Sequence, residues 1–175
     1  LVCFNLPPHL QYLPENIFLV GVIPGPKEPN VHQLNHILRP LVDELLEMWD
    51  PGIFLSTPLY PTGRRVRAAL IPIIADLPAL RKTTGFASHS ADLFCNFCLL
   101  HKADENIVDC SKWPPRPSWK DHIKLAEEWL ALPTLNARKD FTKATGVRWT
   151  ELLRLPYWDP TRYTLVDSMH NLFLG

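Results

Sequence analysis

Proline occupies eighteen of the 175 positions, against seven glycines, about twice its usual share. Each ring fixes φ and removes a backbone donor, so no helix or strand runs far before meeting a stop. A chain punctuated in this way is confined to short elements joined by fixed turns. It still has material for a core, because 46% of its residues are hydrophobic and six are tryptophan. That excludes a disordered tail and a collagen-like repeat. Eighteen Lys and Arg balance eighteen Asp and Glu, so bulk charge alone does not hold the chain on nucleic acid. No apolar stretch approaches the ~18 residues of a membrane span, and no signal peptide opens the chain. The length suffices for one domain with a real core. The chain begins at Leu1 inside one apolar run and stops at Gly175 inside another, which predicts a piece of a longer protein.

The runs between the breakers read as an α/β pattern. Leu1–Leu6 and Asn16–Ile23 are short apolar strands closed by Pro7-Pro8 and Pro24-Gly25-Pro26. Leu34, Leu38, Leu41, Leu45 and Met48 recur at helical spacing, which predicts a helix from about Val31 to Trp49, capped by Asn30 and kinked at Pro40. Thr57–Gly63 reads as a loop, and Arg65–Ala75 as a buried strand in the same mixed sheet as the first two, although its apolar pattern alone also suits a buried helix. Asp76 then opens a helix with Pro78 in its first turn. Residues 87–117 read as irregular. Ser118 caps a helix to about Leu132, and further helical pieces cover Leu135–Thr145 and Trp149–Leu155. The expected organisation is a core over 1–87, an insertion over 88–163 and a return element over 164–175.

Three groups of residues carry chemistry. Asp76 follows a buried strand directly, at the edge where open α/β sheets place ligands. A carboxylate there either binds a hard cation such as Mg²⁺ or only caps the next helix. Cys95-Asn96-Phe97-Cys98 has the spacing of a zinc knuckle, and four cysteines without a secretory signal favour metal or redox chemistry over crosslinks. His101 and Cys110 complete the zinc site locally, Asp167 and His170 at long range, or the thiols are simply buried hydrophobes. Arg138, Lys139, Lys143, Arg148, Arg154 and Arg162 outnumber three acids between Pro133 and Tyr163, among interleaved aromatics. Arg64, Arg65 and Arg67 form a second basic group. Such patches either track phosphates beside stacking rings or are ordinary solvated faces. No Gly-rich phosphate loop and no nucleophile elbow is present.

Several stretches together resemble the transposase of CACTA (En/Spm-type) DNA transposons in its fungal form. They are Asn5-Leu6-Pro7-Pro8, Ile23-Pro24-Gly25-Pro26-Lys27, Leu38-Arg39-Pro40-Leu41, Arg67-Ala68-Ala69-Leu70 with Asp76-Leu77-Pro78-Ala79, Gly85-Phe86-Ala87, the Cys95/Cys98 pair, Leu155-Pro156-Tyr157-Trp158 and Asp167-Ser168-Met169-His170-Asn171. The resemblance implies an RNase H-like domain with a D-D-E triad that binds two Mg²⁺ and cuts and joins DNA. Asp76 matches the second acid, Cys95/Cys98 the family's C-x2-C, and Asp167/His170 its D-x2-H, which ranks the long-range zinc completion above the local one. The first acid is expected before residue 1 and the final Glu beyond Gly175, so this segment alone is expected not to catalyse strand transfer. The resemblance further implies a nuclear location, DNA as partner, no membrane and an oligomeric complex. The rival readings are a zinc-stabilised DNA- or protein-binding module that has lost catalysis, and a metal-free structural domain.

Overall fold

The longest amphipathic stripe becomes the longest helix. In the structure, a computed structural model that describes residues 1–173, α2 runs over Val31–Trp49 and buries Leu34, Asn35, Val42 and Leu45. The buried stripe is thus rotated from the predicted one: Asn35 and Val42 join it, while Leu38 and Leu41 are half-buried. Pro40 does not split the helix. Its ring costs one bond to the preceding turn, and the apolar stripe on either side of it keeps both halves seated on the core.

The chain divides into two units, Leu1–Asn30 and Val31 onward. In the first, α1 (Pro8–Gln11) and a 3₁₀ turn (Pro14–Asn16) separate two extended ends. These ends meet only at an antiparallel bridge between Val2 and Ile17, with Phe18 N–H donating to the Leu1 carbonyl at 2.9 Å. The predicted strands 1–6 and 16–23 are therefore corrected to one bridge. Gln11 explains part of this: its side-chain Nε2 donates to the Phe4 and Leu6 carbonyls at 3.2 and 2.8 Å, diverting acceptors a ladder would use.

In the second unit two small sheets form. The antiparallel hairpin of β1 (Ile53–Thr57) and β2 (Tyr60–Val66) pairs Ile53 with Val66, Phe54 with Arg65, Leu55 with Arg64 and Thr57 with Tyr60. Thr57–Gly63, expected as a loop, is thus mostly hairpin. β3 (Ile73–Ala75) pairs in parallel with β4 (Thr164–Val166). The single strand expected over Arg65–Ala75 is split, because its middle donors are committed elsewhere: Ala68 N–H to the Met48 carbonyl at 3.1 Å and Leu70 N–H to the Tyr157 hydroxyl at 3.1 Å. Pro72 has no donor to offer.

Residues 76–163 leave β3 and return to its neighbour β4. They contain α3 (Leu77–Thr84), the cysteine segment with two 3₁₀ turns, α4 (Trp119–Ala131) and α5 (Leu135–Thr145). Each helix opens on a side-chain cap: Asp76 and Ser118, as expected, and Thr134, not foreseen, accept from the Ala79, Asp121 and Ala137 amides. Trp149–Leu155 tightens to a 3₁₀ turn over Glu151–Arg154. Leu152, Leu153, Leu155 and Trp158 from this stretch form the core with Val42, Leu45, Ala126 and Val147. After β4 one helical turn covers Met169–Phe173, and the end of the predicted 164–175 element lies outside the described residues. The fold class is mixed α/β.

Candidate active site

Parallel pairing sets the geometry of the site. Ala75 lies opposite Val166, and the Asp167 N–H donates to the Ala75 carbonyl at 2.9 Å. Asp76 and Asp167 therefore both leave the carboxyl edge of adjacent strands, the edge at which such sheets hold ligands. Asp76 is half-buried. Its Oδ1 accepts the Ala79 N–H at 2.8 Å as the cap of α3. The cap and the metal-ligand roles are compatible, since one oxygen satisfies the helix and no hydrogen bond to a described residue occupies the other.

Asp167 is more committed. One oxygen accepts from the Met169 N–H at 3.0 Å and the other meets His170 Nδ1 at 2.5 Å. The His170 hydrogen bond first, and the Met169 amide second, hold its carboxyl below the ordinary range. Asp167 thus stays ionised across neutral pH.

Cys95 and Cys98 sit on the irregular stretch that follows α3. Cys95 is half-buried and accepts a hydrogen bond from the Phe97 N–H at 3.3 Å; Cys98 is buried. Burial pushes the Cys98 thiol up, and the neighbouring Cys95 thiol adds to this. Between them Asn96 is buried and reaches the Thr164 carbonyl of β4 at 3.5 Å. Arg116 Nε binds the Cys95 carbonyl at 2.9 Å. His101 and Cys110 are exposed, and His101 is paired with Asp92 at 2.7 Å. Among the described residues no three of His, Cys, Asp and Glu converge as a metal site would require. The structure thus brings Cys95 to Cys98 and Asp167 to His170, and brings neither completing pair into a cluster with the thiols.

Most of the basic residues between 133 and 163 have internal partners. Arg138 caps the end of α4 through the Leu132 and Leu130 carbonyls at 3.0 and 2.8 Å and stacks on Trp129. Arg148 binds the Arg81 carbonyl at 3.3 Å and the Phe86 carbonyl, and burial draws its guanidinium down to about 10. Arg154 joins Glu151 and Asp43, and Arg162 lies 3.6 Å from Asp159. Lys139 and Lys143 are exposed. In the other group Arg67 pairs with Asp50 at 2.9 Å, Arg65 reaches the Pro51 carbonyl at 3.0 Å, and Arg64 stacks on Tyr60.

The sequence reading missed the pairing that sets Asp167 beside Asp76. It also missed Arg81, which is 4% exposed and whose guanidinium burial draws below its ordinary range. No local signal marks either.

The family model described as transposase family tnp2 matches residues 1–120. The chain belongs to that transposase family. Asp76, Cys95 and Cys98 lie within the matched stretch, while Asp167 and His170 lie after it. No curated protein and no solved structure matches the chain. Membership of a transposase family implies interaction with DNA in general, and no described helix is long and apolar enough to cross a membrane.

Proposed function

We propose that this member of the tnp2 transposases is the central segment of a DDE catalytic domain of CACTA type, RNase H-like in fold, in which Asp76 is one of three carboxylates that hold Mg²⁺. The observation that carries this reading is the uncommitted oxygen of Asp76 at the carboxyl edge of β3, beside a parallel neighbour. Part of the element order supports it: after the β1–β2 hairpin that follows α2, a strand, a helix, a long excursion and a parallel strand succeed one another. A half-buried carboxylate with one free oxygen fits a hard cation that takes one or two protein carboxylates and keeps its waters. Two such ions would stabilise the attacking and leaving oxygens of an in-line phosphoryl displacement. Asp76 contributes orientation as well, because its cap bond to Ala79 fixes the carboxylate on the first turn of α3.

The other two acids belong, in this reading, to the rest of the parent protein, which acts in the nucleus as an oligomer on transposon ends. The segment by itself is expected to be inactive in strand transfer. Exposed Arg64, Lys139 and Lys143 are its proposed DNA contacts, whereas Arg138 and Arg148 act first on carbonyls. For zinc the described residues supply two thiols and not four converging ligands, so Cys95 and Cys98 are proposed as a half-site.

The test is Asp76→Asn in an intact transposase carrying this segment. Asparagine caps a helix as well as aspartate does, so folding is preserved while the charge is lost. Mg²⁺-dependent end cleavage is expected to fall at least about a hundredfold, the equivalent of ~3 kcal/mol in the barrier. Undiminished cleavage makes Asp76 a cap alone. A parent that lacks the two flanking acids and still binds DNA favours the binding-module reading.

A further inference from the structure

The β1–β2 hairpin is the one sheet of this unit whose two faces are both left outside the core. Phe54 is 67% exposed, Leu59 78%, and Leu55, Tyr60 and Val66 are exposed as well. The two strands pack almost wholly on each other. A hairpin with one apolar face would be waiting for a sheet or a helix to cover that face. This one is built differently. Pairing of Phe54 with Arg65 puts an aromatic and a guanidinium on one face, and pairing of Leu55 with Arg64 puts an aliphatic and a guanidinium on the other. Arg64 lies 4.7 Å over the Tyr60 ring on that second face. No Asp or Glu occurs between Ile53 and Val66. The nearest acid, Asp50, is paired with Arg67 at the base of the arm. The tip is held stiff: Thr57 Oγ1 accepts from the Tyr60 N–H at 3.2 Å and the Ser56 hydroxyl donates to the Pro61 carbonyl at 2.8 Å. It presents Pro58 and Leu59 to solvent.

We propose that the β1–β2 arm is a DNA-reading ribbon that enters the major groove of duplex DNA. Arg64 faces the phosphates of one groove wall and Arg65, exposed although one guanidinium nitrogen also donates to the Pro51 carbonyl at 3.0 Å, those of the other, and Pro58-Leu59 meets base edges at the floor. The inference deepens the transposase reading by naming the element that holds duplex, and rests on it only for the choice of DNA as partner. Two strands ~4.8 Å apart with their side chains fill a groove about 12 Å wide. A seven-residue strand of roughly 23 Å is long enough to reach along it. Positive charge on both faces without a compensating acid complements a cleft with phosphates on both sides, and a flat protein surface would use one face only. An apolar tip gains contact with thymine methyl groups at the groove floor.

The experiment uses the 175-residue chain and a fluorescein-labelled 30-base-pair duplex, titrated by anisotropy in EDTA from 50 to 200 mM salt. EDTA removes catalysis, so the result is independent of Asp76 and of the Mg²⁺ assay. The wild-type chain is expected to bind, and Arg64→Ala/Arg65→Ala to bind about tenfold more weakly, with the salt slope of log K reduced by roughly 2. Leu59→Ser, at an exposed tip position that the fold does not need, is expected to weaken binding severalfold with the slope unchanged. Methyl green is expected to compete, and distamycin not. Binding that ignores all three substitutions overturns the proposal, as does absence of duplex binding at 50 mM salt or competition by distamycin. Sedimentation that shows the arm holding two copies of the chain together, with Leu59→Ser dissociating them, also overturns it and makes the arm a protein interface. If the arm variants behave as expected while Asp76→Asn leaves cleavage intact, the ribbon stands and the catalytic reading fails; the converse pair of results separates them the other way.

Discussion

Trp158 links the core to the strand that carries Asp76, and replacing it with phenylalanine isolates that link. The indole has no exposed surface, and its Nε1 donates to the Ile71 carbonyl at 3.2 Å, two residues before β3 begins. Trp158→Phe removes this donor and strands an acceptor, at about 1–2 kcal/mol. The smaller ring leaves roughly 40 Å³, which at ~24 cal/mol per Å³ adds about 1 kcal/mol. The sum of about 2–3 kcal/mol corresponds to a fall in Tm of roughly 5–10 °C for a chain of this size. Urea denaturation followed by far-UV circular dichroism reads it directly, with an unchanged m-value. Benzothienylalanine at position 158, which keeps the shape and lacks the N–H, is expected to show only the hydrogen-bond share. A loss below about 0.5 kcal/mol for Trp158→Phe refutes the view that this bond and this volume hold the start of β3.

Glu151, whose side chain is 6% exposed, lies between Arg39 and Arg154. Burial would raise its carboxyl, but hydrogen bonds from Arg39, Arg154 and Trp149 outweigh this and lower it; the stability it contributes is present above its unfolded value near 4.5 and lost as pH falls through the folded one. Glu151→Gln is expected to flatten that acid limb in a pH series of denaturation midpoints. His122 is held down to about 4 by burial and then by Arg116, so the unfolded chain takes up its proton first and stability declines from pH ~6.5 toward 5, by about 2 kcal/mol; His122→Leu is expected to remove that decline. Gly85 ends α3 at φ 81°, and a Cβ there would meet the Arg148 carbonyl at 2.6 Å. Gly85→Ala is therefore expected to cost about 2 kcal/mol in the same denaturation assay. Zinc added to the purified chain is expected to bind weakly and to lose that binding in Cys95→Ser or Cys98→Ser, measured by titration against a chromogenic chelator; binding insensitive to both substitutions rejects the thiol half-site.

Local chemistry was legible in the sequence and distant pairing was not. Asp76 and Ser118 are helix caps because a short oxygen-bearing side chain satisfies an amide three residues on, and that requires no knowledge of the fold. The place of Asp76 after an apolar run was also readable. The β1–β2 hairpin was not, because Pro58, Pro61 and Gly63 look like loop-formers, while the strands on either side are defined only by each other. The basic stretch from 133 to 163 misled for a related reason. A guanidinium that binds a backbone carbonyl, as in Arg138 and Arg148, leaves no opposite charge in the sequence to reveal its partner. Asp167 looked like half of a D-x2-H pair, and its distance from Asp76 in sequence hid that the two share one edge.

The return of β4 to the side of β3 across residues 76–163 has a consequence for how the protein comes into being. Contacts this far apart close late, because the loop entropy must be met before any strand bond repays it. During synthesis β3 and α3 emerge with Asp76 already capping its helix, but the edge beside it stays open until Thr164–Val166 has been made and the intervening helices have collapsed. The edge beside Asp76 is thus complete only once Thr164–Val166 has paired, and shorter nascent chains carry Asp76 without the neighbour that frames it.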